Sequence, residues 1–163
     1  MRMLLLFLLV ASSGFAADCC EVEASTKKIS KHLNPVSKKV FASVYVKVRS
    51  ISDEAVTVDP YTFQLLDQDG RVLPAIAPAV AARRLVSKAE RSFLGGIAAG
   101  HDDKPFRQAN DKFTLDFEKY ALPAGEVPPG ALVDGMVYFE PGRDKLTAAT
   151  LLIPGVGEFS LEW

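Results

Sequence analysis

The chain has few of the residues that build catalytic and metal centres. Its 163 residues include two histidines, two cysteines, three methionines and one tryptophan. A Ser-His-Asp or Cys-His device needs a histidine beside a nucleophile, and a copper carrier needs several Met and His ligands. The composition therefore disfavours an enzyme and a metal carrier, and it predicts no catalytic residue, no cofactor and no bound metal.

An excess of charge is also lacking. The chain has 19 Lys and Arg against 20 Asp and Glu, which gives a formal net charge of −1. Nucleic acid and anionic lipid are bound through clustered Lys and Arg. We therefore expect no nucleic acid among the partners of this protein.

No apolar run reaches the roughly 20 residues that a membrane-spanning helix needs. The most hydrophobic stretch lies in residues 1–17, MRMLLLFLLVASSGFAA, where one basic residue precedes an apolar core and small residues follow. This order predicts a secretory signal peptide that is cleaved after Ala16 or Ala17. We expect a secreted or periplasmic mature domain, residues 18–163, without a membrane span after cleavage.

The two cysteines, Cys19 and Cys20, are adjacent and lie at the predicted new N-terminus. A disulfide between neighbours closes almost no loop and would stabilise the fold very little. Three interpretations stay open: a mobile pair without function, an intermolecular disulfide, and a redox contact. A lipid anchor on Cys19 is disfavoured because Asp18, rather than a small residue, precedes it.

Residues 40–76, VFASVYVKVRSISDEAVTVDPYTFQLLDQDGRVLPAI, carry the strongest structural pattern. Alternation in the first ten residues predicts a strand with one buried face. The expected buried set is Val40, Ala42, Val44, Val46 and Val48, and the expected exposed set is Phe41, Ser43, Tyr45, Lys47 and Arg49. A polar turn at 50–54, a short strand at 55–58 and a hairpin through Gly70 are expected to follow.

Further strands are predicted at both ends of the chain. One is expected around residues 20–24, and another where Phe113, Leu115 and Phe117 alternate with polar residues. Pro-Gly turns at 129–130, 141–142 and 154–155 separate three more segments of strand length, at 131–140, 145–153 and 156–163. About seven short strands at this spacing predict an all-β sandwich.

A helical insertion is predicted near residues 78–95. Residues 79–94 are rich in alanine with charges interspersed, and Pro78 suits the first turn of a helix. Val86, Ala89, Phe93 and Ile97 recur at spacings of three and four, so this helix would carry an apolar stripe. The stripe either packs onto its own domain or docks a partner.

The remaining polar residues predict no site. His32 and the run His101-Asp102-Asp103 have no partners that the sequence identifies, so both are interpreted as solvated loops. Asp116 and Glu118 are paired carboxylates, but alternation places them on the solvent face of a predicted strand. Met136 also lies on a predicted strand, where burial rather than metal binding is expected.

The segments VYVKVRSISDEAVTVDPYTFQLLDQDGRVLP and PGALVDGMVYFEPG carry a family resemblance. They resemble the immunoglobulin-like domain of unknown function in bacterial secreted proteins and lipoproteins, akin to telokin-like and immunoprotective extracellular domains. The likeness covers residues 40–76 and 122–153. Two features depart from it: Ser50 stands where the family usually has Asn, and residues 77–121 are longer than the usual connection. The resemblance implies an immunoglobulin-like β-sandwich of about seven strands and brings no catalytic residues.

A non-catalytic binding or interaction module, secreted or periplasmic, is the function that these observations favour. Immunoglobulin-like sandwiches present loops and strand edges on a rigid core. We expect a protein partner in the cell envelope, docked through the helical insertion or an exposed sheet edge. An envelope enzyme and a periplasmic metal carrier are the alternatives. The sequence identifies neither a ligand nor a particular partner.

Overall fold

The computed structural model describes residues 19–30, 33, 35, 40–85 and 116–163. The predicted signal peptide and the part of the predicted helix beyond residue 85 lie outside these ranges. Within them the chain is mostly β-strand, with helical segments at residues 78–85 and 116–119 and a 3-10 helix at Pro60–Thr62. The strands are β1 (Cys20–Ser25), β2 (Ala42–Ser50), β3 (Val56–Val58), β4 (Gln64–Asp67), β5 (Val72–Ile76), β6 (Gly125–Val127), β7 (Leu132–Phe139), β8 (Ala148–Ile153) and β9 (Gly157–Glu162).

Seven strands form one continuous sheet in the order β1-β2-β7-β5-β4-β8-β9, and β3 pairs with β6 in a separate two-stranded sheet. Strand β5 changes partner along its length. Its first half pairs with β4, whereas Ala75 and Ile76 pair with β7. This change lets the sheet fold into two layers, β1-β2-β7 and β4-β8-β9. The hydroxyl of Thr26, just past β1, donates to the carbonyl of Glu162 in β9 and so joins the two edges.

The main core lies between these two layers. Val44 and Val46 from β2, Leu65 from β4, Phe139 from β7 and Leu151 from β8 are all 0% exposed. Full burial of such a side chain contributes about 1.5 to 3 kcal/mol to folding. The predicted inner face of β2 is confirmed from Ala42 to Val48, and the chain has the all-β sandwich fold that its strand pattern predicts and that the resemblance implied as immunoglobulin-like.

The hairpin between β4 and β5 is also confirmed. Gly70 has a φ of +76°, a left-handed conformation that costs glycine no steric strain. The carboxylate of Asp67 is buried in the turn, where Oδ1 accepts the N–H groups of Asp69 and Arg71, each at 2.9 Å. An aspartate that closes its own turn is typical of such loops.

The predicted exposed face of β2 is only half exposed. Lys47 and Arg49 lie at the surface, but Phe41, directly before β2, is 2% exposed and Ser43 is 1% exposed. Both face a second layer of structure, residues 78–85 and 116–122, which we call the cap. Val40, predicted on the inner face, packs instead with the cap side. The prediction of a single buried face is therefore wrong at this end of the strand.

The described part of the helical insertion packs on its own domain. The carbonyl of Ala77 accepts the N–H groups of Val80 and Ala81, which begins the helix at Pro78. Ala81 and Ala82 are both 0% exposed. Because alanine is small, the helix backbone can approach the sheet closely. Cap and sheet share a small second core of four buried residues, Phe41, Ala81, Met136 and Tyr138.

The strand predicted around Phe117 is not observed. Residues 116–119 form a helical turn, with the Asp116 carbonyl accepting the N–H of Tyr120 at 3.1 Å. Phe117 stacks on Tyr138 with ring centres 4.9 Å apart and meets Phe41 edge-on at 5.5 Å. This aromatic packing, and not a sheet face, leaves Phe117 half-buried, and Phe113 and Leu115 lie outside the described residues.

After the cap, the chain returns to the sheet at a glycine. The N–H of Met136 donates to Tyr120, and the N–H of Leu122 donates to Met136, so residues 120–122 run beside β7. A Cβ placed on Gly135 would lie 2.4 Å from the backbone nitrogen of Leu122. Glycine is therefore required at position 135 by close approach of two backbones.

Candidate functional site

The main candidate site is an open groove at the edge of the cap, with a volume of about 630 Å³. We call it the cap groove. Six of its lining residues are alanine or proline, three are charged, and one is a tyrosine. The lining consists of Tyr61, Ala77, Pro78, Ala79, Glu118, Lys119, Ala121, Leu122, Pro123, Ala124 and Asp134.

Three local structures hold the groove in shape. The 3-10 helix places Tyr61 on one side, because Asp59 Oδ1 accepts the Tyr61 N–H at 3.0 Å and Pro60 is buried beneath it. The first turn of the cap helix supplies Ala77 to Ala79. The third side is the chain at 118–124, which is fixed by its hydrogen bonds to Met136. Tyr61 is 56% exposed although its backbone is anchored.

The charged residues of the groove lie at its margins. Glu118 and Asp134 are exposed acids, and Lys119 lies with its Nζ 5.4 Å from the centre of the Tyr120 ring. Asp134 Oδ2 accepts the hydroxyl of Tyr45 at 2.9 Å. Burial and then this hydrogen bond raise the pKa of Tyr45 to about 12, so Tyr45 keeps its proton and stays a donor to Asp134 at neutral pH.

A second, smaller cavity of about 90 Å³ lies between the two layers at one end of the sandwich. We call it the end cavity. Most of its wall is apolar, and its polar groups are two threonines and one aspartate. The lining consists of Cys20, Val22, Val48, Val56, Thr57, Val58, Asp59, Thr62, Phe63, Ile153, Pro154 and Val156. It shares no lining residue with the cap groove.

The cysteine pair is anchored at this end of the sandwich. The Cys19 carbonyl accepts the N–H groups of Ile51 and Ser52 at 3.0 and 3.2 Å, and Cys20 pairs with Ser50 in the sheet. The two sulfur atoms lie 3.5 Å apart. Cys20 is 1% exposed, and burial together with the neighbouring Cys19 raises its pKa to about 11. Cys20 is therefore held in strand β1 rather than in a mobile segment, and its raised pKa disfavours the reactive thiolate form.

Ser50 also differs from its expected role. Instead of opening a polar turn it ends β2 and is 1% exposed, with its hydroxyl making no hydrogen bond to any described residue. Its side chain lies on the inner face beside its cross-strand neighbour Cys20. A buried hydroxyl without a partner costs about 1 to 3 kcal/mol.

The other residues weighed in the sequence do not form a site. His32 and the run His101-Asp102-Asp103 lie outside the described residues. Asp116 is half-buried in the helical turn of the cap, and Glu118 is exposed at the margin of the cap groove, so they are not a pair on a strand face. Met136 is 3% exposed, in the small second core that the cap and the sheet share. Within the described ranges, no three His, Cys, Asp or Glu are grouped closely enough to hold a metal ion.

The cap groove was missed by sequence reasoning because its residues come from four separated segments. Only one local signal was present, the pair Asp59-Pro60 before Tyr61, which is typical of a capped helical turn. That pair could have placed Tyr61 at an exposed turn. Nothing in the sequence brings Tyr61 beside Lys119 or Asp134.

Comparisons with known proteins give only distant likenesses in structure. No family model matches the chain, and no curated protein matches it. Similar solved structures include the secreted protein MPT63 of Mycobacterium tuberculosis, with 10% identity and a TM-score of 0.44 over 93% of this chain and 92% of that one. The yjhA protein of Bacillus subtilis has 10% identity and a TM-score of 0.47 over 93% and 96%.

The ycdA protein of Bacillus subtilis, a predicted lipoprotein, is also similar, with 12% identity and a TM-score of 0.46 over 92% of this chain. The chain spans 38% of the length of that protein. These likenesses are too weak to carry information on ligands or partners. Across the ranges given above, the structure has no helix that is long and apolar enough to cross a membrane.

Proposed function

We propose that this protein is an exported, non-catalytic binding module that receives an extended segment of a partner protein in its cap groove. The predicted signal peptide and the family resemblance support export to the envelope or the medium. The observation that carries the binding role is the cap groove itself, which is open, lies beside the exposed Tyr61 and is lined by segments that hydrogen bonds hold in place.

The chemistry of the groove suits a peptide segment. Its volume lies within the range of about 300 to 1,000 Å³ that is typical of ligand sites in proteins. Alanine and proline on its floor leave room for the side chains of a partner. Tyr61 offers a large contact area at low entropic cost, which is why tyrosine is enriched among the residues that dominate binding energy.

The charges of the groove favour a partner segment with basic residues. Glu118 and Asp134 together outweigh Lys119 by one negative charge. Charge complementarity increases association rates and selects among partners more than it raises affinity. We therefore infer that the segment carries Lys or Arg near an apolar anchor.

A site-specific photo-cross-linker tests this proposal in the native cell envelope. Benzoylphenylalanine is placed at position 61 in one variant and at position 72 in a control. Val72 is a suitable control because its exposure, 52%, is close to the 56% of Tyr61, and because it does not line the groove. We expect a discrete adduct at position 61 that is absent at position 72, and mass spectrometry of the adduct identifies the bound segment.

Two competing results would contradict the proposal. Equal adducts at both positions would mean nonspecific contact, and no adduct at position 61 would mean that the groove is not occupied. Intact-mass analysis of the same samples tests export, since cleavage after Ala16 or Ala17 gives a defined mass. A full-length mass would show that the signal peptide is not removed.

A further inference from the structure

The end cavity is distinct from the cap groove and has a different chemical character. It lies between the two layers of the sandwich, where Val22 and Val48 form one wall and Val58 and Phe63 another. Val48, Val58 and Phe63 are all 5% exposed or less. These side chains make one part of the wall apolar, and Thr57, Asp59 and Thr62 supply its polar part.

The mouth of the cavity carries one charge. Asp59 is exposed and is the one charged residue among those that line the cavity. Its Oδ1 accepts the N–H of Tyr61 at 3.0 Å, and its Oδ2 makes no hydrogen bond to a described residue. Thr62 already donates its hydroxyl proton to the Asp59 carbonyl at 2.8 Å. A free carboxylate oxygen at the rim repels anions and attracts a cation.

The size of the cavity limits what can enter. Its volume of about 90 Å³ is smaller than the roughly 150 Å³ of an apolar protein cavity that takes up benzene. A single branched aliphatic group of four or five carbons is of suitable size. A polar end attached to such a group would lie at the rim, near Asp59.

We propose that the end cavity binds a small branched aliphatic amine, with its carbons against the valine wall and its ammonium group on Asp59. Burial of the carbons supplies most of the affinity, and the carboxylate selects the sign of the charge. With so few carbons buried, the dissociation constant is expected to be on the order of 1 mM.

Three probes with one carbon skeleton test the proposal: 3-methylbutylamine, 3-methylbutanol and 3-methylbutanoate. Each is titrated into the mature protein while methyl NMR signals are followed. We expect shifts in the signals of Val22, Val48 and Val58. The amine is expected to bind about ten times more tightly than the carboxylate, with the alcohol between them. No shift with the amine, or equal affinity for amine and carboxylate, would overturn the proposal.

Variants separate the two parts of the site. Asp59→Asn keeps a side chain that can still accept the Tyr61 N–H but removes the charge, so amine and alcohol should then bind within about two-fold of each other. A preserved preference for the amine in this variant would show that Asp59 is not its partner. Because the readout is a ratio of affinities, a modest change in stability does not affect it.

Filling the cavity tests its location. Val56→Phe places a ring at the half-buried edge of the cavity and should abolish binding of all three probes. Val72→Phe is the matched control, because Val72 lies outside the cavity and is 52% exposed. Binding that survives Val56→Phe, in a protein whose remaining NMR signals are unchanged, would place the probes elsewhere and overturn the assignment.

Discussion

The two outer faces of the sandwich differ in how completely they are covered. On the β2-β7 side the cap covers Phe41, Met136 and Tyr138, which are 2%, 3% and 6% exposed. On the β4-β8-β9 side the outward residues Leu66 and Leu152 remain half-buried, and Val72 of the adjoining β5 is 52% exposed. Both faces carry apolar residues on short strands, so strand composition alone does not separate them.

This difference shows that the cap changes which residues of an alternating strand are buried. Strand β2 alternates evenly, yet Ser43 is buried while Arg49, six residues on and on the same face, is exposed. The cap covers only one end of the strand. Burial on an outer face is therefore decided by an element that lies far away in the sequence, and the cap groove exists only at the margin of that element.

The largest loss of stability is expected from a charge on the inner face of the sandwich, in the core between the two layers. Val46→Asp would bury an unpaired carboxylate at a position that is 0% exposed, at a cost of about 3 to 5 kcal/mol. Lys47→Asp, on the uncapped outer face, loses an exposed pair with Glu23 at 3.1 Å and places a like charge opposite Glu23 and Asp134, so it should cost about 1 to 2 kcal/mol. Urea unfolding measures both. Equal losses would mean that the strand register is wrong.

A slightly smaller effect is expected where the cap returns to the sheet. Gly135→Ala places a Cβ against the backbone of residues 121–122, which cannot move without breaking its hydrogen bonds to Met136. The expected cost is about 3 kcal/mol. Gly142→Ala is the matched control, since its nearest neighbour would be 3.4 Å away, and it should cost less than about 1 kcal/mol. Similar melting temperatures for the two variants would contradict the close approach.

The two outer faces are compared directly by truncating one apolar side chain on each. Met136→Ala empties a buried site under the cap and should cost about 3 kcal/mol. Leu152→Ala removes a half-buried side chain from the open face and should cost about 1 kcal/mol. Chemical denaturation measures the difference. Equal losses of stability would mean that the cap does not bury the β2-β7 face more deeply than the open face is buried.

The smallest change in stability is expected from loss of the ion pair that joins the cap and the sheet. Arg84 in the cap helix donates two hydrogen bonds to Glu140 just after β7, at 2.5 and 2.6 Å. Both side chains are about one-third exposed, so solvent weakens the pair. A double-mutant cycle with Arg84→Met and Glu140→Gln should give a coupling of about 0.5 to 1 kcal/mol. A coupling of zero would mean that the pair does not hold the cap.

This ion pair also predicts a pH dependence. The hydrogen bonds from Arg84 lower the pKa of Glu140 below its ordinary value. A carboxyl with a lowered folded-state pKa contributes stability above its unfolded-state pKa and loses it as the pH falls through the folded one. The stability advantage of the wild type over Glu140→Gln should therefore be full near pH 6 and decline below about pH 4. An advantage that is constant with pH would contradict this assignment.

The strands were predictable because their signals are local. Alternating valines identified the inner face of β2, and Gly70 after Asp69 identified the hairpin. The turn at Phe117 was not predictable in the same way, because a short alternation of aromatic and polar residues fits a strand and a helical turn equally. Stacking on Tyr138, a residue 21 positions away, decided between them.

The candidate sites were less predictable than the fold. Cys20 was identified as part of a first strand, but its burial beside a cavity depends on β3 and on the turn after β8. The cap groove requires Tyr61, the start of the cap helix and the chain at 118–124 to meet. Hydrophobic periodicity does not predict such a contact, since no segment has a distinctive sequence pattern when taken alone.

By itself, the sequence determined the all-β class, the inner face of the sandwich and most of its turns, because hydrophobic alternation and glycine-bearing turns act between near neighbours. Tertiary structure alone decided which outer face is covered, where the cysteine pair is anchored, and that a groove and a cavity exist. These depend on packing between segments distant in the chain, and whether an outward residue meets water or another element is settled only when the layers assemble.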